Sequence, residues 1–521
     1  MTYRVLQWFL GLITRVFFRQ VEVVGLEHVP SDGPVIFAGN HPNSLIDPVL
    51  IITTCGRKVH FAAKDTLFAS RLLRLVLRGV GAVPVARRDD HGGAGKVDND
   101  AAFTAMFGVL GEGGAIGIFP EGLSHDRSEL AKLKTGAARL ALGGAAHCKG
   151  PVRIVPCGLT FIHPKRFRSR VMVQYAEPIV IDGSSDAAMA ASLAAAGVEV
   201  AGDETAGAAL DSPQRVRALT TGLDAALRRL TINAPDWDTV RALDVVRRLY
   251  QPQEISIEER VELARRFNSA YPRVAEDPRV IAAMTKVRAY QQELDELGIT
   301  DRELARDLSK LEIGARLARH VGLVAFWLPM TAPGAPLHLP TVLFARIAGK
   351  RLTPRKDVVA TTKLLIGLML ALLSYVAAVV VLGWRFGWPW ALAAAAILPL
   401  SGLATLRVLD RIRLVRRALG TLLRRLRFRR EVTRLRARRA ELVTEVIAVV
   451  NQVRPAGMTL LFPADHPRRA AEGAESSGAR RHADLDSEFD KDAAEAEADE
   501  AAEAAAASVG PAVRDPAQGA G

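Results

Sequence analysis

The chain has 521 residues, is 49% hydrophobic and carries a formal net charge of +13. Its mean hydropathy is +0.13. That length exceeds one ordinary domain, and the hydropathy is high for a wholly water-soluble protein. The charge calls for an anionic partner, but aromatic residues are only 6% and no RNA- or DNA-recognition signature occurs, so nucleic acid is set aside in favour of anionic membrane lipid or phosphorylated substrates. The three cysteines form no CxxC, which excludes a disulfide framework or cysteine-zinc site and fits a reducing compartment.

Residues 1–20 place Trp8, Phe9, Leu10, Leu12 and Ile13 between Arg4 and Arg15, without a signal-peptide cleavage site. They read as an interfacial amphipathic helix, with a buried core helix as the alternative. Residues 21–182 alternate apolar runs with helical patterns. Strands are expected at 21–24, 35–38, 82–85, 115–119, 152–156 and 171–175, and helices at 47–54, 67–77, 101–110 and 135–146. This order predicts an α/β domain with a mostly parallel sheet flanked by helices and functional groups at strand ends.

Residues 183–212, rich in Ala, Gly, Ser and Asp, read as a loose insertion. A helical region covers 213–320, with Ser256 and Glu259 forming a capping-box pattern. Residues 321–347 are apolar but interrupted by Pro329, Pro333, Pro336 and Pro340, which predicts a re-entrant or interfacial segment. The uncharged runs within 361–406 predict a transmembrane hairpin with tryptophans at its turn; a buried helical pair in a soluble core is the alternative. Arg346, Lys350, Arg351, Arg355 and Lys356 precede it and Arg407, Arg411, Arg413, Arg416 and Arg417 follow it, so both ends are expected on the cytoplasmic side of the cell's inner (plasma) membrane. Residues 407–452 read as a basic amphipathic helical region, suited to anionic lipid, a coiled coil or an ordinary core contact. Residues 463–521 read as a disordered, acidic, alanine-rich tail.

The chemistry concentrates in the first domain. His41 and Asp47 supply a base and an orienting carboxylate, provided a turn places Asp47 on the first turn of the following helix; six steps along a regular helix advance about 600° and would separate them. A capping Asp and a structural His form the plainer alternative. Phe119-Pro120-Glu121-Gly122 follows an apolar run, so Glu121 stands at a strand exit where it can accept hydrogen bonds from a polyol, and Gly122 permits close backbone approach. Ser124, His125 and Asp126 follow at once. Arg87, just past a short strand, has the planar fork of a phosphate clamp. Lys64, Lys134 and Arg139 are further cations, each more simply read as a solvated side chain.

Taken in order, these pieces resemble the phospholipid/glycerol acyltransferase superfamily, which includes the glycerol-3-phosphate and lysophosphatidate acyltransferases. His41 and Asp47 match its histidine–aspartate motif, Arg87 its second-motif arginine, residues 119–122 its third motif and Pro156 the proline of its fourth. The common motif has four residues between His and Asp, whereas five stand here. The branch resembling fungal dual-substrate glycerol-3-phosphate/dihydroxyacetone-phosphate acyltransferases carries this longer form. Phe119-Pro120-Glu121-Gly122-Leu123-Ser124-His125-Asp126, Asn233-Ala234-Pro235-Asp236-Trp237 and the membrane hairpin also look like that branch.

The resemblance implies acyl transfer from acyl-CoA or acyl-carrier protein to glycerol-3-phosphate, or alternatively to lysophosphatidate. It implies no metal and no other cofactor. His41 and Asp47 are the catalytic candidates; Arg87, Pro120, Glu121, Gly122 and Ser124 are the substrate-binding candidates. Three rivals stand beside this reading. A serine hydrolase would use Ser44 or Ser124, but there is no GxSxG elbow. A metal site would draw on His41, Asp47, His125 and Asp126, without a recognised ligand spacing. A membrane scaffold with a degenerate transferase domain is the third.

Overall fold

The structure, a computed structural model, describes residues 2–86, 99–182, 189, 191, 194, 212–252, 255–305, 310–353, 355–455, 458–463 and 466–468. Arg87, nearly all of the 183–212 insertion and nearly all of the 463–521 tail lie outside the described residues. The chain divides into two compact units. One comprises Met1–Leu243, Ile257–Pro272 and Phe326–Val408; the other comprises Asp244–Ser256, Arg273–Ala325 and Leu409–Gly521.

The first unit opens with helix α1 (Thr2–Phe17), β1 (Gln20–Val24), β2 (Val35–Gly39), α2 (Ile46–Thr54) and β3 (Val59–Lys64). Helix α3 (Arg71–Gly79), β4 (Val83–Val85), α4 (Asp100–Gly111), β5 (Ala115–Ile118), α5 (Gly136–Ala145), β6 (Val152–Phe161), β7 (Arg170–Tyr175), β8 (Ile179–Ile181) and α6 (Ser212–Leu230) follow. The strands form one sheet in the order β1-β7-β6-β2-β5-β3-β4, with β8 also on β6. All pairs are parallel except β6 with β7 and β6 with β8. The mostly parallel sheet expected from the sequence is therefore present.

Strand β2 is buried along its whole length, as an interior strand covered on both faces must be. Its side chains alternate between two cores. Ile36 and Ala38 face Met106 and Leu110 of α4, Leu140 and Ala141 of α5 and Leu223 and Leu227 of α6. Val35 and Phe37 face Phe17, Phe18 and the α2 residues Leu50 and Ile51. Helix α1 is thus docked on the domain through Tyr3, Leu6 and Leu10, while Val5, Trp8 and Leu12 remain exposed.

Two strands escape the sequence reading. β3 contains polar His60 and Lys64, and β8 is only three residues long, so neither gives a clear apolar run. The helix expected at 67–77 is instead a 3-10 turn, Asp65–Ala69, followed by α3; Ser70 ends the first and caps the second by accepting from the Leu73 N–H.

Beyond α6 lie α7 (Trp237–Tyr250), α8 (Ile257–Val274), α9 (Pro278–Leu297), α10 (Asp301–Ala305), α11 (Lys310–Thr331) and α12 (Ala335–Arg351). α8 begins directly after Ser256, where the capping box places it. Pro329 and Pro340 sit inside α11 and α12, and the break falls at 332–334, so the prolines interrupt this segment less than expected. Helices α13 (Val359–Phe386) and α14 (Trp388–Arg427) are each long and apolar enough to cross a membrane. A buried polar network joins α12 to both: His338 bonds Tyr375 at 2.8 Å and Thr405 at 3.1 Å. Contrary to the boundary expected at 407, α14 continues unbroken to Arg427, and Phe428 separates it from α15 (Arg429–Val453). Arginine favours helix, so the change from apolar to basic residues alters the surface without ending the element.

In the second unit α9 lies beside α15. Lys286 bonds Glu445 at 2.7 Å, while Tyr290 and Arg439 both donate to Asp301, at 2.8 and 2.9 Å.

Gly158 of β6 lets the end of α6 close onto the sheet: an added Cβ would stand 2.7 Å from the Leu230 Cβ and 2.8 Å from its carbonyl oxygen. Gly158→Ala is expected to destabilise the protein by about 1–3 kcal/mol through overpacking, read as a lowered thermal midpoint.

Candidate active site

Strands β2 and β5 are parallel neighbours, so the segments leaving their C-terminal ends emerge side by side. His41 leaves β2 and Glu121 leaves β5. Asn40 fastens the exit of β2 to β6: its side-chain amide donates to the Leu159 carbonyl at 3.1 Å and its oxygen accepts the Leu159 N–H at 2.7 Å.

His41 Nδ1 lies 2.8 Å from Asp47 Oδ2. When Asp47 is ionised its carboxylate can only accept, which places the proton on Nδ1 and leaves a lone pair on Nε2. The imidazole lies flat on Phe119, with centroids 4.0 Å apart and planes 5° from parallel, and Phe61 backs Phe119. The ring's tautomer and its plane are therefore both set.

The turn required between His41 and Asp47 is built at Ser44. Its φ of 50° is left-handed, uncommon outside glycine. Ile46 and Asp47 donate backbone bonds to Asn43 and Ser44 at 3.2 and 3.3 Å, and α2 starts there, with Asp47 on its first turn. The five-residue interval thus brings base and carboxylate together. Asp47 is completely buried, and its Oδ2 also accepts the Asn43 N–H at 2.7 Å. Oδ1 is buried with no hydrogen-bond partner among the described residues. Burial pushes the Asp47 carboxyl above the usual carboxylate range, against the His41 and Asn43 bonds that pull it down.

Glu121 differs from its expected role. It is buried and turned inward: Oε1 accepts the His41 N–H at 2.8 Å, and Oε2 accepts the Ala131 N–H at 2.8 Å and bonds the His125 ring. In this arrangement it braces the base's backbone instead of facing a polyol. His125 N–H returns to the His41 carbonyl at 3.2 Å, so the two loops are bonded in both directions. Pro120 is likewise buried; its carbonyl accepts the Lys134 N–H at 2.8 Å, giving it a turn-forming place. Gly122 has a left-handed φ of 75°, and Lys134 passes 2.7 Å from where a Cβ would stand. Ser124 is buried with its hydroxyl on Asp357 at 2.5 Å. Of the extra cations, Lys134 and Arg139 are exposed and Lys64 is half-buried.

The sequence reading overlooked Asn43, considered His125 only as a metal ligand, and did not anticipate how residues 233–237 are used. That segment braces the loop after Glu121: Asn233 Oδ1 accepts the Leu130 N–H at 2.9 Å, Ala234 exchanges bonds with Ser128, and Trp237 Nε1 donates to the Asp126 carbonyl at 3.1 Å. Asn233 and Trp237 are the signal, since each has a polar group suited to a partner elsewhere in the chain, while Asp236 caps α7 by accepting the Thr239 N–H. Among the described residues, no three His, Cys, Asp or Glu side chains converge as metal ligands. Chemically, the arrangement offers an oriented base and a carboxylate that stabilises it once protonated.

The Acyltransferase family matches residues 20–160, and the Glycerol-3-phosphate acyltransferase 2 C-terminal domain matches residues 242–458. Glycerol-3-phosphate O-acyltransferase 2 of Saccharomyces cerevisiae is 33% identical over 302 residues, covering 54% of this chain and 38% of that protein. Glycerol-3-phosphate O-acyltransferase 1 of the same yeast is 26% identical over 479 residues, covering 72% of this chain and 60% of that protein. A 1-acyl-sn-glycerol-3-phosphate acyltransferase of Borreliella burgdorferi is 32% identical over 123 residues, covering 24% of this chain and 46% of that protein. The chain therefore spans 38% and 60% of the lengths of the two yeast proteins.

Two outcomes test this geometry. Ser44→Gly should be tolerated, whereas Ser44→Val should cost about 1–2 kcal/mol by forcing a branched residue into the left-handed region, seen as a lower thermal midpoint. Ionising Asp47 in the folded chain is disfavoured, so its contribution to stability is present at acid pH and is lost as the pH rises through its raised folded value. Relative to the unaltered protein, the Asp47→Asn midpoint should therefore rise as the pH climbs above the ordinary carboxylate range.

Proposed function

We propose that this chain, which is similar to the Acyltransferase family and to the yeast glycerol-3-phosphate O-acyltransferases, transfers a fatty acyl group from acyl-CoA or acyl-carrier protein to a hydroxyl of glycerol-3-phosphate. The observation that carries this reading is the 2.8 Å contact between His41 Nδ1 and the buried Asp47, which leaves Nε2 as the basic atom.

His41 Nε2 removes the proton from the acceptor hydroxyl as its oxygen attacks the thioester carbonyl. The carbon–sulfur bond then breaks, and the departing thiolate takes the proton from His41. No covalent enzyme intermediate is needed. Asp47 holds the imidazole orientation and stabilises the transient imidazolium. Arg87 binds the substrate phosphate in this scheme. Gly122 forms the surface on which the acceptor lies, and Glu121 contributes by fixing the His41 backbone. Pro120 and Ser124 shape the loop.

Helices α13 and α14 support membrane attachment, and the arginines and lysines on both flanks favour a cytoplasmic catalytic domain at the inner membrane, facing anionic lipid. Lysophosphatidate is the second acceptor reading, supported by the similarity to the Borreliella burgdorferi protein.

The test uses the full chain in membranes with acyl-CoA and labelled glycerol-3-phosphate, dihydroxyacetone phosphate or lysophosphatidate in parallel. Acceptor-dependent thiol release should be greatest with glycerol-3-phosphate. His41→Ala and Asp47→Asn should lower it on the order of 10²–10⁴-fold; unchanged turnover in both would remove the mechanism. Thiol release without an acceptor would instead indicate a hydrolase, loss on chelation and recovery with metal a metalloenzyme, and background release in the unaltered protein a scaffold.

A further inference from the structure

The contacts at the start of α13 exceed what an anchor requires. Asp357, in the turn just before the helix, is buried and accepts the Ser124 hydroxyl at 2.5 Å, from a residue 233 positions away. Arg355 donates to the Ser124 carbonyl at 2.9 Å, to its Oγ at 3.2 Å, and to both Asp357 oxygens at 2.8 and 3.2 Å. One turn into α13, Thr361 Oγ1 donates to the Asn43 carbonyl at 3.5 Å, and Lys363 Nζ to the Lys165 carbonyl at 2.8 Å. Ala360 is fully buried in the core cluster that contains Phe37 and Leu50.

We infer that Arg355, Asp357 and Thr361 are positioning residues of the active site, so that the base of the first apolar helix is a structural component of the catalytic centre. Two routes lead from it to His41. One passes from Asp357 through Ser124 to the loop in which Glu121 holds the His41 N–H. The other passes from Thr361 to Asn43, whose N–H bonds the same Asp47 oxygen that orients the imidazole. A hydrophobic anchor needs length and apolarity alone. A buried carboxylate at its base is costly unless paired, and this pairing is made with both an arginine and an active-site loop. The arrangement makes the placement of His41 depend on the seating of α13. It also explains why Ser124, which the sequence suggests for substrate contact, is buried.

The inference rests on the acyltransferase reading for its kinetic consequence but has an independent readout. Full-length protein in phospholipid nanodiscs would be compared with Ser124→Ala, Asp357→Ala and the double variant. Each single change should lower kcat on the order of 10–100-fold, because small displacements of a positioned base are expensive, with little change in the KM for acyl-CoA. The double variant should be no worse than either single, and Ser124→Thr, which keeps the hydroxyl, should retain most of the turnover. Unchanged kcat, or losses that multiply in the double variant, would overturn the inference.

Hydrogen exchange gives the second measurement. Asp357→Ala should speed exchange in segments 40–47 and 121–131 while leaving α13 as protected as before. Should that variant not fold, Thr361→Val keeps the volume, removes the hydroxyl and should loosen 40–47. Loops that exchange at the unaltered rate would refute the positioning role whatever the activity. Loosened loops in a chain inactive on every acceptor would refute the acyltransferase reading and leave the positioning role intact.

Discussion

Everything at the candidate site depends on one buried contact, the hydrogen bond from His41 Nδ1 to Asp47 Oδ2. Asp47 has no solvent exposure, and its second oxygen has no hydrogen-bond partner among the described residues. A carboxylate in such a place opposes its own ionisation, and the His41 and Asn43 bonds only partly offset this. The fold therefore tolerates a locally unfavourable group in order to hold an imidazole in one tautomer and one plane. Such a concession is expected at a functional site and has little purpose in an inert core.

The surrounding structure keeps that contact from relaxing. Parallel pairing of β2 and β5 sets the two exits side by side, Asn40 fastens one exit to β6, and the left-handed Ser44 turns the chain into α2. Glu121 then bonds the His41 backbone from the neighbouring exit, and residues 233–237 secure the loop beyond it. His41 is held from its ring, its backbone and its stacking face at once. The proposed general-base role would gain from this, because reactivity depends steeply on the placement of the proton acceptor.

The same logic extends to the apolar helices. The matched acyltransferase and C-terminal families lie in succession along the chain, yet the turn before α13 is bonded to the Glu121 loop. The base of a helix long and apolar enough to cross a membrane is thus bonded to the loops of the candidate site.

Much of this was legible in the order of residues. Apolar runs alternating with helical patterns give the α/β domain, because burial on both faces of a parallel sheet demands them. Uncharged length gives α13 and the first half of α14, because a bilayer demands that. His41, Asp47 and the Phe119–Gly122 motif can be picked out because few residue types serve as base, carboxylate and tight turn. Tertiary structure alone decided how they are used. Glu121, Pro120 and Ser124 look like substrate contacts in one dimension, since a strand exit favours polar and turn-forming residues for either purpose. Their inward orientation follows from partners 4 to 233 positions away. Whether five intervening residues could join His41 to Asp47 was likewise a matter of one backbone angle at Ser44, and composition and spacing do not determine that angle.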